Sequence, residues 1–213
     1  MFGQQAGMRL PTEVKRYYEG DLWSSQFFAN AAATANLDRP HFTVPVGQQG
    51  QGFAAALSIS ETNMEEGGRI ASGLAYTVRQ VAIEPIYDDV WPVVHADIKN
   101  LQYSCVPTWR FLNTEVEISP VALIGQGGGI FGTSADTGAA DGGLGGSRIA
   151  LNNGAGQTWI YYELPVLLPA NTTFSLRLRF GANAAAIDGG RNTSNLIVRG
   201  HLIGVITSAV PQG

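Results

Sequence analysis

The stretch TFSLRLRF, residues 173–180, has the clearest strand pattern in this chain. Apolar and polar residues alternate along it without a break, which is the period of a β-strand with one buried face. One predicted face carries Phe174, Leu176, Leu178 and Phe180. We therefore predict that this face lies in a core, and that the face with Arg177 and Arg179 contacts solvent or a partner.

Similar runs recur outward from this stretch in both directions. The predicted strands cover residues 42–46, 53–60, 73–84, 90–103, 115–124, 158–168, 173–180 and 196–210. Prolines lie at the ends or middles of several runs, which suits edges, bulges and corners better than central parallel strands. Eight strands with no helices between them predict an all-β fold, namely an antiparallel eight-stranded jelly-roll sandwich.

The sequence pattern near the N-terminus predicts a short helix instead of a strand. Asp21 is a suitable cap for residues 22–37, LWSSQFFANAAATANL, and Trp23, Phe27 and Ala31 recur every four residues. Pro40 would end such a helix, since the residue before a proline avoids helical geometry. We predict an N-terminal arm with a short helix over residues 1–40 and a single jelly-roll domain over residues 41–213.

A glycine-rich stretch, VALIGQGGGIFGTSADTG at residues 121–138, raises the question of a phosphate site. Gly127, Gly129 and Gly132 fit the G-x-G-x-x-G fingerprint. A dinucleotide site also needs a helix directly after the glycines, and the glycines that continue to residue 156 disfavour one. We interpret residues 125–157 as a long loop inserted between two strands, and residues 181–195 as a second, shorter Gly-rich loop.

Composition excludes several classes of protein. The chain has 213 residues, is 45% hydrophobic and only 14% charged, and has a net charge of −4, so we expect no direct binding of nucleic acid. Cys105 is the only cysteine, which excludes an intrachain disulfide and a zinc site built on several thiolates. The sequence shows neither a long apolar run nor the apolar core of a signal peptide, so we expect a soluble chain made in a cytoplasm.

The histidines are the first candidates for chemistry. The chain has three, His41, His95 and His201, and His95 shares a face with Asp97 if both lie on a strand. Metal-binding jelly rolls of the cupin type use a closely spaced histidine pair, and no H-x-H motif occurs here. We predict no metal site and no cofactor site.

Nucleophilic and carboxylate chemistry are also disfavoured. Cys105 has no neighbouring base in sequence, and we predict that it is a small buried hydrophobe. The acid pairs 65–66 and 88–89 lie beside turn residues. Because adjacent strand residues point to opposite faces, we interpret both pairs as solvated turns and predict that the chain is not an enzyme.

Aromatic residues offer a binding alternative. Trp159 and Tyr161 share one face of TWIYYELP, and Trp109 lies in another apolar run. Such a set can stack on a sugar ring, but tryptophan and tyrosine are also enriched at protein interfaces, and we favour the interface interpretation. The alternative is a non-catalytic carbohydrate-binding or receptor-binding β-sandwich module of a phage fibre or surface protein.

Two C-terminal stretches resemble a known family. ELPVLLPANTTFSLRLRF, residues 163–180, and NLIVRGHLIGVITSAV, residues 195–210, resemble the closing strands of single jelly-roll capsid proteins of icosahedral bacteriophages. The resemblance implies a structural subunit that assembles with copies of itself, and with other capsid proteins, into a closed shell. It places the chain in the virion after assembly in the host cytoplasm, and it is compatible with an internal membrane beneath the shell.

The physical pattern points to the same kind of assembly. Low charge and many small residues suit extensive contacts between copies, and glycine-rich loops adapt to different neighbours. The predicted interface or assembly-loop residues are Gly127, Gly129, Ile130, Phe131, Leu144, Trp159 and Tyr161.

Overall fold

The computed structural model describes residues 14–29, 31–87, 95–112, 114–118, 121, 160–187 and 195–210. Within them lie eight strands and one helix. The elements are β1 (Val14–Phe28), β2 (Asp38–His41), β3 (Leu74–Tyr87), α1 (His95–Ser104), β4 (Cys105–Phe111), β5 (Thr114–Glu117), β6 (Ile160–Leu168), β7 (Phe174–Phe180) and β8 (Leu196–Val210).

The strands form two antiparallel four-stranded sheets. The first sheet has the order β1-β8-β3-β6, and the second has the order β2-β7-β4-β5. The first four strands pair with the last four in reverse order: β1 with β8, β2 with β7, β3 with β6 and β4 with β5. The predicted all-β, antiparallel character is confirmed.

The stretch at residues 173–180 behaves as its alternation predicts. Phe174, Leu176 and Leu178 are at most 2% exposed in β7, because they face a core that side chains of both sheets share. Arg177 and Arg179 lie on the opposite face and are partly exposed. Burying each of these large apolar side chains stabilises the fold by about 1.5–3 kcal/mol relative to leaving it exposed to solvent.

One glycine is required where β3 and β8 approach each other. The pairing of these strands shifts between Val78 and Gln80, and Gly204 lies opposite Val78. A Cβ atom on Gly204 would lie only 2.0 Å from the carbonyl oxygen of Thr77. Any larger residue would therefore force the two backbones apart at this bulge.

The predicted N-terminal helix is wrong. Residues 14–28 form β1, which pairs with β8 along its whole length. Ser24, Gln26 and Phe28 are buried at a spacing of two, and Ser25 between them is buried as well. The fourfold spacing of Trp23 and Phe27 is compatible with either period, and the alanines that favour a helix lie after Phe28, where β1 ends.

The strand predicted over residues 90–103 is wrong for residues 95–103, which lie in α1. Asp97, Asn100 and Leu101 are buried there, at the spacing of a helix. Two of these three residues are polar, so a search for a helical period of apolar residues misses them. His95 and Asp97 therefore do not share a strand face.

The predicted strands at residues 42–46 and 53–60 are also wrong, because these residues form turns and isolated bridges. Gly47 and Gly52 have φ values of +83° and +84°, which belong to turns and not to strands. The predicted strand at 115–124 corresponds to the shorter β5. Strands predicted at 73–84, 158–168, 173–180 and 196–210 match β3, β6, β7 and β8, whereas β2 and β4 were not predicted.

Candidate functional site

The predicted interface loop lies mostly outside the described residues. Gly127, Gly129, Ile130, Phe131, Leu144 and Trp159 all fall there. Tyr161 lies in β6, where its backbone pairs with Gln80 of β3. The assignment of these seven residues to an interface stays a prediction.

Two other predicted site residues are in the core. Trp109 is 4% exposed, and its ring centroid lies 6.3 Å from that of Phe174. Trp109 is therefore not available to stack on a sugar, and that part of the carbohydrate-site prediction is wrong. Cys105 is a free, fully buried thiol, and burial raises its pKa, so the predicted role as a small buried hydrophobe is confirmed.

His201 is the centre of an ion cluster on the outer face of the first sheet. Its Nδ1 lies 3.0 Å from Oδ2 of Asp21 on β1. Its Nε2 lies 3.2 Å from Oε2 of Glu84 on β3. Carboxylates accept hydrogen bonds only, so both ring nitrogens donate and the imidazole is doubly protonated.

The electrostatics of the cluster agree with its geometry. Burial alone would lower the pKa of His201, but the hydrogen bonds and charges of Asp21 and Glu84 outweigh it and raise the pKa to about 9. The hydrogen bond from His201 lowers the pKa of Glu84. Since neither ring nitrogen keeps a free lone pair, His201 cannot act as a base or a metal ligand in this state.

Arg199 ties this cluster to the loop at residues 42–73. Its Nη1 lies 3.6 Å from Oε2 of Glu84. Its Nη2 donates to the carbonyl oxygen of Ser60 at 2.7 Å. Trp23 adds a second tie, since its Nε1 donates to the carbonyl oxygen of Ile59 at 3.0 Å. Residues 59 and 60 are therefore held against the outer face of the first sheet.

A second ion cluster lies on the outer face of the second sheet. Arg177 binds Asp38 through two nitrogens, at 3.0 Å for Nε to Oδ1 and 2.6 Å for Nη2 to Oδ2. Arg179 donates to Oε1 of Glu115 at 2.7 Å. Paired two-nitrogen contacts of this kind are among the stronger ion pairs in proteins. They link β2, β7 and β5 across the face.

His41 has the opposite environment to His201. It is 0% exposed, and its Nε2 donates to the carbonyl oxygen of Val198 on β8 at 3.0 Å. Nδ1 is buried and has no hydrogen-bond partner among the described residues. Burial is the main cause that lowers the pKa of His41 to about 4, so the ring is neutral near pH 7.

Two depressions lie on either side of the turn at residues 65–68. One, of about 240 Å³, has an acidic wall that includes Glu65 and Glu66. The other, of about 470 Å³, lies at the β4–β5 turn, and its lining includes Arg110 and Leu112. We call the second depression the Arg110 cleft. The predicted solvation of the acid pair 65–66 is confirmed for Glu65, which is exposed.

The His, Cys, Asp and Glu side chains of the described residues form no group of three or more that could bind a metal. The helix among them is too short and polar to cross a membrane. Comparison of the chain with known protein families, with characterised proteins and with solved structures found no match.

Local motifs in the sequence do not reveal these sites. His201 is separated by 180 positions from Asp21 and by 117 positions from Glu84. The sequence does indicate the position of Arg177 and Arg179, since their alternation with leucines predicts an outer face that contacts solvent or a partner.

Proposed function

We propose that this chain is a jelly-roll capsid subunit that assembles with copies of itself into a closed viral shell. The observation that carries the proposal is the nested pairing of the strands. The first four strands pair with the last four in reverse order, and the pairs are divided between the two sheets. A rolled-up double ribbon produces this pattern. Jelly rolls of eight strands form viral capsid domains, as well as lectins and cupins.

The surface of the described residues supports assembly among these uses of the fold. Large apolar side chains are exposed at separate elements: Val46 is 42% exposed, Leu112 64%, Val116 49% and Leu167 57%. Leu112 and Val116 lie together at the β4–β5 hairpin. An exposed apolar pair on one hairpin is a surface that a partner would cover.

The two ion clusters supply the rigidity that a shell subunit needs. The His201 cluster joins three strands of the first sheet, and the Arg177 cluster joins three strands of the second. Each holds its outer face in one arrangement before a neighbour arrives. A rigid subunit loses less conformational entropy on association, so weak contacts repeated over a shell suffice.

The partners under this proposal are further copies of the chain and other shell proteins, and the chain is located in the virion. The test is the mass of the purified full chain by sedimentation velocity over a hundredfold range of concentration, with electron microscopy of fast-sedimenting species. We expect rings or shells that grow with concentration. A chain that stays monomeric across the whole range, with no ordered particles, would contradict the proposal.

A further inference from the structure

The Arg110 cleft combines a free positive charge with an exposed apolar side chain. Arg110 is exposed on β4. Its cross-strand neighbour Glu115 is bound instead by Arg179 at 2.7 Å, with Arg177 at 3.8 Å. Among the described residues Arg110 has no ion-pair partner of its own. A cation beside a cleft and without a partner is a natural contact for an anionic group.

Leu112 at the edge of the cleft adopts a conformation that leucine rarely takes. Its φ is +52°, in the left-handed region that favours glycine and asparagine. Its side chain is 64% exposed, and its amide donates to the carbonyl oxygen of Thr173 at 3.1 Å. Neither the fold nor solvation gains from an exposed leucine in this conformation, and residues held in this way cluster at binding sites.

A complementary patch lies close by on the same chain. Glu65 is exposed and has no ion-pair partner among the described residues, unlike Glu66, which pairs with Arg69 at 3.5 Å. Val46 is 42% exposed, and its amide donates to the carbonyl oxygen of Met64, the residue before Glu65, at 2.9 Å. The patch therefore presents one carboxylate and one aliphatic side chain, and the cleft presents one guanidinium and one aliphatic side chain.

We propose that the Arg110 cleft of one copy receives the patch formed by Glu65 and Val46 of a second copy. In this contact Glu65 pairs with Arg110, and Val46 packs against Leu112. The occupant is a second copy because the exposed guanidinium of the cleft and the exposed carboxylate of the patch have opposite charges, and every copy carries both. The inference rests on the proposed assembly and specifies one of its contacts.

Each copy carries both halves of the contact, separated only by the turn that includes Gly67 and Gly68, which line the cleft. A contact between two such halves either repeats reciprocally about a twofold axis or runs from head to tail around a ring. Both geometries pair the same two residues, so one set of variants tests either.

The test uses charge reversal on the full chain, read by sedimentation and electron microscopy after circular dichroism has shown that each variant folds. We expect Arg110→Glu and Glu65→Arg each to weaken association by about tenfold or more, because like charges then face each other. The double variant restores the opposite charges and should recover association to within about threefold of the natural chain. Arg79→Glu, which reverses an exposed arginine on β3, is the matched control and should associate normally.

Leu112→Gly separates a binding role from a structural one. Glycine accepts a positive φ without strain, so we expect an unchanged or raised unfolding midpoint together with association weakened by several-fold. A lowered midpoint with normal association would overturn the role of Leu112 as a contact residue.

The outcomes distinguish this inference from the proposed function. If the natural chain forms shells or rings and Arg110→Glu does so equally well, the contact is wrong and the proposed function stands. If the double variant stays as weak as the single ones, Glu65 is not the partner of Arg110. If the natural chain never associates, both fail.

Discussion

His41 lies between the two sheets, and His201 lies on the outer face of the first sheet. The ring of His41 is neutral near pH 7, whereas the ring of His201 is positively charged. Both rings lie beside β8: His41 donates to the carbonyl oxygen of Val198, and His201 lies three residues further along on the opposite face. Burial without a carboxylate lowers the pKa of His41 to about 4. Two carboxylates raise the pKa of His201 to about 9.

The difference shows that a single strand separates two electrostatic environments. Side chains of successive β8 residues point to opposite faces, so Gly200 faces His41 while His201 faces solvent and the carboxylates. The inner face excludes ions, which favours the neutral imidazole. The outer face supplies counter-charges, which favours the imidazolium. These opposite shifts make stability depend on pH in opposite directions.

Replacement of His41 should change the pH dependence of stability most. Its folded pKa of about 4 lies below the ordinary value near 6.5, so the unfolded state binds the proton first. The contribution of His41 is therefore complete above about pH 6.5, and about 3 kcal/mol is lost as the pH falls from there to 4. His41→Leu removes this dependence.

We expect His41→Leu to be less stable than the natural chain at pH 7 by about 1–3 kcal/mol, because the carbonyl of Val198 loses its donor. The difference should vanish or reverse near pH 4. Urea denaturation of both proteins at several pH values measures it. Two stability curves that remain parallel from pH 7 to pH 4 would show that burial of His41 does not perturb its titration.

A smaller effect of opposite sign is expected at His201. Its folded pKa of about 9 is above the ordinary value, so its contribution is complete below about pH 6.5 and is lost as the pH rises through 9. The cluster is partly exposed, and we reduce the full linkage value to about 2 kcal/mol for solvent screening. His201→Gln should lack this alkaline loss, because an amide does not titrate and so has no charge to lose between pH 6.5 and pH 9.

Denaturation of the natural chain and His201→Gln from pH 6 to pH 9.5 checks this expectation, with ring titration followed by NMR. The imidazole signal of His201 in the natural chain should titrate far above that of an exposed histidine. If His201 titrates near 6.5 instead, the two hydrogen bonds to Asp21 and Glu84 do not hold the charge, and the contrast with His41 is lost.

The sequence predicts the elements in which one local signal dominates. The stretch at 173–180 alternates cleanly because every second side chain faces the core, so both the strand and its outward arginines follow from pattern. β1 was not predicted, because the alanines after Phe28 and the spacing of Trp23 and Phe27 also fit a helix. Only pairing with β8, which is distant in sequence, decides between the two.

The histidine sites depend even more on distant contacts. Nothing near His41 in sequence indicates that its ring reaches a carbonyl oxygen 157 positions away. Nothing near His201 indicates that Asp21 and Glu84 arrive from two neighbouring strands. The sequence therefore identifies the three histidines as candidates. The charge state of His201 follows only from the register of β1, β3 and β8, and that of His41 follows from its burial beside β8.

A smaller change in stability is expected at Gly200, whose missing side chain leaves space for the ring of His41. A Cβ atom there would lie 3.0 Å from Cδ2 of His41 and 3.4 Å from a methyl carbon of Leu176. The ring is held by its bond to Val198 and cannot move freely, so we expect Gly200→Ala to destabilise the fold by about 1 kcal/mol. Gly181→Ala is the matched control, because its added carbon would only touch Ser104 at 3.8 Å.

A double-mutant cycle then shows whether the cost arises at the ring. In a His41→Ala background the added methyl has space, so Gly200→Ala should cost nothing or stabilise the fold, and the two substitutions should be non-additive by about 1 kcal/mol. Equal costs in both backgrounds would mean that Leu176 or the backbone of β8 resists the methyl. In that case His41 is held by burial and its hydrogen bond alone, without steric support from β8.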